Sequence, residues 1–163
     1  MATPLKLPPQ NIEAEESVLG SLMLDKDAII RVADVLTPAD FYKPAHAKIY
    51  EAILTLFEKR QPIDILSVTA KLKEDNALGE IGGGTYLSSL INSVPTASHI
   101  SHYAKIVKEK KVLRDLISAS SEITEHAYNP SDDLENILDE IEQKIFSISQ
   151  RSLPQKFIAI KEE

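Results

Sequence analysis

From Ser98 to Tyr128 the chain contains neither glycine nor proline. About 30 consecutive positions therefore lack a strong helix breaker, and as one helix they would be roughly 45 Å long. A globule of 163 residues has a radius of gyration of only about 15 Å, so a diameter near 40 Å. A straight helix of that length stands out from such a body. Asn129-Pro130-Ser131 then reads as a turn, with Ser131 as N-cap and Asp132 and Asp133 in the first turn of a returning helix that runs to about Ser149. Its apolar positions Leu134, Leu138, Ile141, Ile145 and Ile148 step by 4, 3, 4 and 3, the spacing of a heptad seam. Residues 98–149 are expected to form a protruding antiparallel helical hairpin.

What precedes it is punctuated for short helices, so the expected fold class is all-α: a compact N-terminal helical bundle over residues 11–97, then the hairpin. Asn11 is placed to cap a first helix to about Leu24, with Ile12, Leu19, Leu22 and Met23 as its buried stripe. Asp25 or Asp27 caps a second helix with Ile29, Val32 and Leu36 inward. Thr37-Pro38-Ala39-Asp40 combines an N-cap, proline at N1 and an acid at N3. Pro44 opens a helix with Ala45, Ile49, Ile53, Leu56 and Phe57 at helical spacing, and Asp64 caps the next, carrying Ile65, Val68 and Leu72. The stretch from Leu78 to Gly84 reads as a glycine-rich loop, after which Thr85 caps a short helix ended by Pro95. Residues 1–10 read as a flexible arm. Residues 150–163, with Pro154 and the uncovered Phe157, Ile158 and Ile160, read as the start of a linker to a further domain.

Chemistry is sparse. No cysteine is present, which excludes disulfides, thiolate catalysis and cysteine zinc sites. No apolar run nears the roughly 18 residues of a membrane helix and no signal-peptide core opens the chain, so a cytoplasmic protein without membrane contact is expected. Asp25-Lys26-Asp27 lacks the glycine and late glutamate of a calcium loop. Gly82-Gly83-Gly84-Thr85 lacks the lysine of a phosphate loop. No catalytic, metal or cofactor-binding residue is assigned. His46, His99 and His102 are the candidates for a small helical metal enzyme, one alternative reading; a free-standing helical adaptor is the other.

Interaction remains. The first hairpin helix carries Ile100, Tyr103, Ile106, Val107, Leu113, Leu116, Ile117 and Ile123, more than one partner helix covers. Either the bundle folds over the surplus or another chain does. Leu113 with Leu134, Leu138, Ile141, Ile145 and Ile148 is the expected interface to a second copy. Lys105, Lys108, Lys110, Lys111, Arg114, Lys144 and Arg151 gather at the hairpin base, and Glu122, Glu125, Asp132, Asp133 and Glu135 at its tip. Two hairpins packed antiparallel would set each acidic tip against a basic base, giving a salt-sensitive dimer.

Pro8-Pro9-Gln10-Asn11-Ile12-Glu13-Ala14-Glu15 with Val18-Leu19-Gly20 resembles the opening of the DnaB-type replicative helicases of bacteria. So do Phe41-Tyr42 with His46 and Ile49-Tyr50, Pro62-Ile63-Asp64, Gly82-Gly83 with Tyr86-Leu87, Val94-Pro95-Thr96, Tyr103-Ala104, Arg114 with Leu116-Ile117, and the tail Phe157-Ile158-Ala159-Ile160-Lys161. The resemblance implies an N-terminal collar domain. Such domains pair through their hairpins into a trimer of dimers on a hexameric ring, and a DnaG-type primase docks there. A helicase loader and DNA, the latter through the hexamer, are further implied partners. For the primase contact, Tyr86, Ile117 and Ile123 are expected as apolar residues outside the seam. No Walker A motif lies in this sequence, so the adaptor alternative includes a primase helicase-binding module without a motor. ATP, magnesium and 5'–3' unwinding would belong to the motor of a longer parent, and this chain needs no cofactor of its own.

Overall fold

The computed structural model describes residues 6–152. Among them all regular structure is helical: α1 (Ile12–Leu24), α2 (Pro44–Glu58), α3 (Ile65–Glu74), α4 (Leu78–Ile81), α5 (Gly83–Asn92), α6 (Ile100–Tyr128) and α7 (Leu134–Ser152), with single 3₁₀ turns at Ala28–Arg31 and Pro38–Asp40. The tail from Pro154, including Phe157, Ile158 and Ile160, lies outside the described residues. No helix among them is long and apolar enough to cross a membrane.

Contacts divide the chain into two compact units, one ending at Lys111 and one beginning at Val112. In the first, α1 is the central element. Asn11 caps it by accepting from the Ala14 amide at 2.9 Å. Beyond its first turn it is buried almost all round, at Val18, Leu19, Gly20, Ser21, Leu22 and Met23, a broader burial than the expected stripe. It packs against α2 and α5. The segment expected as a second helix is only the turn Ala28–Arg31, yet Ile29, Val32 and Leu36 are buried as its spacing predicted. Asp25 holds that turn through the Asp27 amide at 2.9 Å. Asp64 caps α3 through the Ser67 amide at 2.8 Å. On α2, Ile49, Ile53 and Leu56 face the core, whereas Phe57 is exposed.

The glycine stretch is not a loop. It forms α4 and the start of α5, separated by Gly82 at φ 105° and followed by Gly83 at φ 74°. A left-handed residue ends one helix and turns the chain into the next, and glycine does so without a Cβ clash. Gly82, not Thr85, stands at the N-cap of α5. The unit boundary also differs from the expected break at residue 98. Ile100, Ala104 and Val107 of α6 are part of the first unit's core, because they fall one turn apart on one face.

The second unit comprises the rest of α6 and α7. A short connection joins the two helices, and an ion pair between Glu122 and Lys144 ties them side by side. Ala119, Ile137 and Ile148 are buried there. Asp133, rather than Ser131, caps α7 through the Asn136 amide at 2.9 Å. Asp132 accepts from the Asn136 side chain at 3.1 Å, which holds its carboxyl below the usual range.

The tightest helix contact is at Gly20. A Cβ there would lie 2.3 Å from the Leu90 carbonyl oxygen and 2.7 Å from Val94 Cγ2. Gly20→Ala would add helix propensity to α1 but would push α1 off α5. We expect it to destabilise by about 1–3 kcal/mol, the cost of overpacking, measured by urea unfolding. An unchanged midpoint would show that the two helices can separate freely.

Candidate interaction surfaces

The second unit presents an apolar face. Leu113 is 44%, Ile117 53%, Leu134 70%, Leu138 50% and Ile145 41% exposed. Each helix advances about 100° per residue. On α7, Leu134, Leu138 and Ile145 then lie about 60–100° round from the buried Ile137. On α6, Leu113, Leu116 and Ile117 lie about 60–160° round from the buried Ala119. Both offsets run in the direction of increasing residue angle. Antiparallel pairing reverses that sense as seen from one end, and placing the partner on the opposite side reverses it again. The two stripes therefore open on the same side, as one face two helices wide.

This corrects the single seam read from the sequence. The expected row on α7 divides. Ile148 is buried inside the unit, Ile141 is half-buried, and Leu134, Leu138 and Ile145 are exposed. The internal seam uses Ile137 instead. The outer row Leu134, Leu138, Ile145 and the inner row Ile137, Ile141, Ile148 both step by 4 and then 7, so spacing alone does not say which one the hairpin covers itself. Ile123, half-buried one turn beyond Ala119, lies on the inner side by the same periodicity.

The charge expectation changes too. Most of the cations expected at the hairpin base already have partners. Lys108 Nζ lies 3.2 and 3.1 Å from the two oxygens of buried Asp40, Lys144 pairs with Glu122, Lys105 lies 3.9 Å from Glu109, and Arg151 donates to Ser147. Lys111 and Arg114 also have partners. Residues 112–152 carry nine carboxylates and three cations, so six of the chain's seven net negative charges reside in this unit.

The first unit holds a polar node that sequence reasoning missed. Glu15 is 2% and His46 0% exposed. The Glu15 carboxylate accepts from the Tyr42 amide at 3.0 Å and the Lys43 amide at 3.3 Å, at the start of α2. His46 Nδ1 lies 3.0 Å from Glu15 Oε1, and a carboxylate only accepts, so this nitrogen carries the proton. Its Nε2 meets the Tyr86 hydroxyl at 2.6 Å. Lys43 Nζ donates to the same hydroxyl at 3.4 Å and stands 5.0 Å above the ring. One carboxylate thus joins α1, α2 and α5, and Tyr86, expected as a partner contact, is half-buried with its polar end committed inward. The signal available was slight: Glu15 is one of three acids, with Glu13 and Glu16, in the opening turns of α1, and only His46, two positions beyond Pro44 at the opening of the next long helix, hinted at a partner. The histidines expected for a metal enzyme do not converge, and among the described residues no group of three His, Asp or Glu side chains could hold an ion.

Burial, then the nearby Glu16 and Glu15 charges, raise the Tyr86 phenol from its usual 10.0 to about 12. A group with a raised folded-state value stabilises the fold fully below its unfolded value and loses that contribution as pH rises through the folded one. Stability should therefore fall between pH 10.0 and about 12, and Tyr86→Phe should remove part of that fall, with Tyr50, also raised, retaining the rest. At neutral pH the same substitution should cost about 1 kcal/mol for the lost hydrogen bond. Urea titrations of both proteins across this range check it, and parallel pH profiles would contradict it.

A protein-family model described as the DnaB-like helicase N terminal domain matches residues 7–109. The chain is 44% identical over 157 residues to the replicative DNA helicase DnaC of Bacillus subtilis (strain 168), and 43% over 157 residues to the replicative DNA helicase DnaB of Geobacillus stearothermophilus. These alignments take in 96% of this chain but only 35% of either relative, so the chain spans about a third of their length. The crystal structure of the N-terminal domain of DnaB helicase from Mycobacterium tuberculosis superposes with a TM-score of 0.83 at 41% identity, over 86% of this chain and 99% of that one. A structure titled for a DnaB-like replicative helicase and its interactions with primase aligns with a TM-score of 0.67 at 31% identity, over 82% of this chain and 31% of that one. With a helical first unit matched along nearly its whole length and a similar solved domain, the chain belongs to the DnaB-like helicase N-terminal domain family.

Proposed function

We propose that the chain acts as the collar of a cytoplasmic replicative DNA helicase, pairing with a second copy through the apolar face of its hairpin unit and offering primase a docking surface. The observation that carries this is the exposed row Leu134, Leu138, Ile145 with Leu113 and Ile117 beside it. The hairpin already has one internal seam at Ala119, Ile137 and Ile148, and its outer row on α7 steps by 4 and then 7, a heptad stripe of the kind that seats another helix pair. A second copy brings a face of the same width and spacing, and its burial removes five large apolar side chains from water.

Three such pairs would build a trimer of dimers on a hexameric ring. ATP and magnesium would act in the motor of the longer parent, which would unwind DNA 5'–3', while a helicase loader and DNA would meet the assembled hexamer. The collar's contribution is a choice among ring arrangements: primase favours whichever it binds better. The similarity to a helicase studied with primase supports this partner. Of the residues expected for the primase contact, Ile117 lies on the pairing face and would be covered by the second copy, whereas Ile123 and Tyr86 are half-buried, so the pair as a whole would offer the docking surface.

Leu138→Gln should weaken pairing on the order of tenfold to a hundredfold, the burial value of one leucine, with helicity by circular dichroism unchanged. Sedimentation equilibrium measures it. Ile117→Ser, on that same face, should weaken pairing and with it the binding of a primase helicase-binding domain in calorimetry, again with helicity intact. Pairing unaffected by Leu138→Gln would remove this face as the interface.

A further inference from the structure

We infer that self-association through the hairpin face is opposed by like charge and is strengthened, not weakened, by salt. The inference rests on the pairing reading above and concerns how that pairing is regulated. Two observations carry it. The first is the distribution of charge. The unit beginning at Val112 holds nine carboxylates against three cations in its described residues, while residues 1–111 are close to neutral. The second is that two of the cations nearest those carboxylates are already bound in ion pairs. Lys108 is bound to Asp40 inside the first unit, and Lys144 is bound to Glu122 inside the hairpin.

Along α7 the carboxylates also flank the face itself. Glu142 and Glu135 fall about 140° and 160° round from Ile137, directly beside the Leu134–Leu138–Ile145 stripe at about 60–100°. Asp139 follows at about 200°. A second copy presents the same rim. Bringing two such units together sets six net negative charges on each side against one another across a distance comparable to the Debye length at low ionic strength. The apolar face supplies the attraction, and mobile cations of the solution set how much of it is realised. Ionic strength then acts as a control on assembly: dilute salt favours separate chains, and higher salt favours the pair.

The test is sedimentation equilibrium of the 163-residue chain at pH 7 in sodium chloride from about 20 to about 300 mM, alongside the triple variant Glu135→Gln, Asp139→Asn, Glu142→Gln. All three positions are exposed on α7, and circular dichroism verifies that the helix is retained. The wild-type dissociation constant should fall on the order of tenfold to a hundredfold across that range. The variant should pair more tightly at low salt and respond less to its increase. The variant also separates screening from a general salting-out of apolar surface, which would affect both proteins equally. Weakening with salt would overturn the inference and uphold pairing, because it would show complementary rims. Equal salt response in both proteins would overturn it as well. Absence of pairing at every salt concentration would remove the pairing reading, and the inference with it.

Discussion

A carboxylate buried in a helical bundle must find donors or the fold does not form. Glu15, 2% exposed, finds three: two backbone amides at the start of α2 and the imidazole of His46. The position of α2 along α1 is set by that contact, and Tyr86 extends it to α5 through the far side of the ring. Apolar packing alone would let these helices slide, since leucine and isoleucine faces tolerate small shifts. Directional bonds to one buried group fix the register. Gly20 complements this by allowing the backbones of α1 and α5 to meet at Leu90, with no room for a Cβ.

A second charged contact serves α6. Asp40 accepts from the Thr37 amide at 2.7 Å and the Thr37 hydroxyl at 3.3 Å, which holds the 3₁₀ turn, and its two oxygens face Lys108 on α6. The first turns of α6 are thereby clasped in the first unit's core by Ile100, Ala104 and Val107 on one side and by this ion pair on another. The same helix continues into the second unit, where its surface changes character and carries the exposed Leu113, Leu116 and Ile117. One helix thus serves as core in one unit and carries an open apolar face in the other.

Much of this was legible in the sequence. Helix starts followed from capping chemistry at Asn11, Asp64 and Thr37-Pro38, and the long breaker-free stretch gave α6 almost to the residue. Local rules failed where tertiary contacts decide. The segment after Asp25 has helical spacing but too little length to sustain more than a 3₁₀ turn before Pro38. The glycines from Gly82 looked like a loop, yet their left-handed conformations connect two helices. Asp40 reads as an acid suited to a helix N-terminus and Glu15 lies in the opening turns of α1, but their long-range partners Lys108 and His46 are 68 and 31 positions away and leave no local trace. At the hairpin, two interleaved rows share one spacing, and only the folded pair distinguishes the seam it closes from the face it leaves open.

That open face is the centre of the functional account, and its protection on association is directly observable. Methyl resonances of Leu113, Ile117, Leu134, Leu138 and Ile145 can be followed with a soluble paramagnetic agent in dilute and concentrated solutions of the chain. The account predicts that these methyls are broadened when dilute and become shielded as copies associate, while the exposed methyls of Ile30 and Leu66 in the first unit stay broadened throughout. Association that shields Ile30 or Leu66 and leaves the hairpin methyls open to the agent would contradict it.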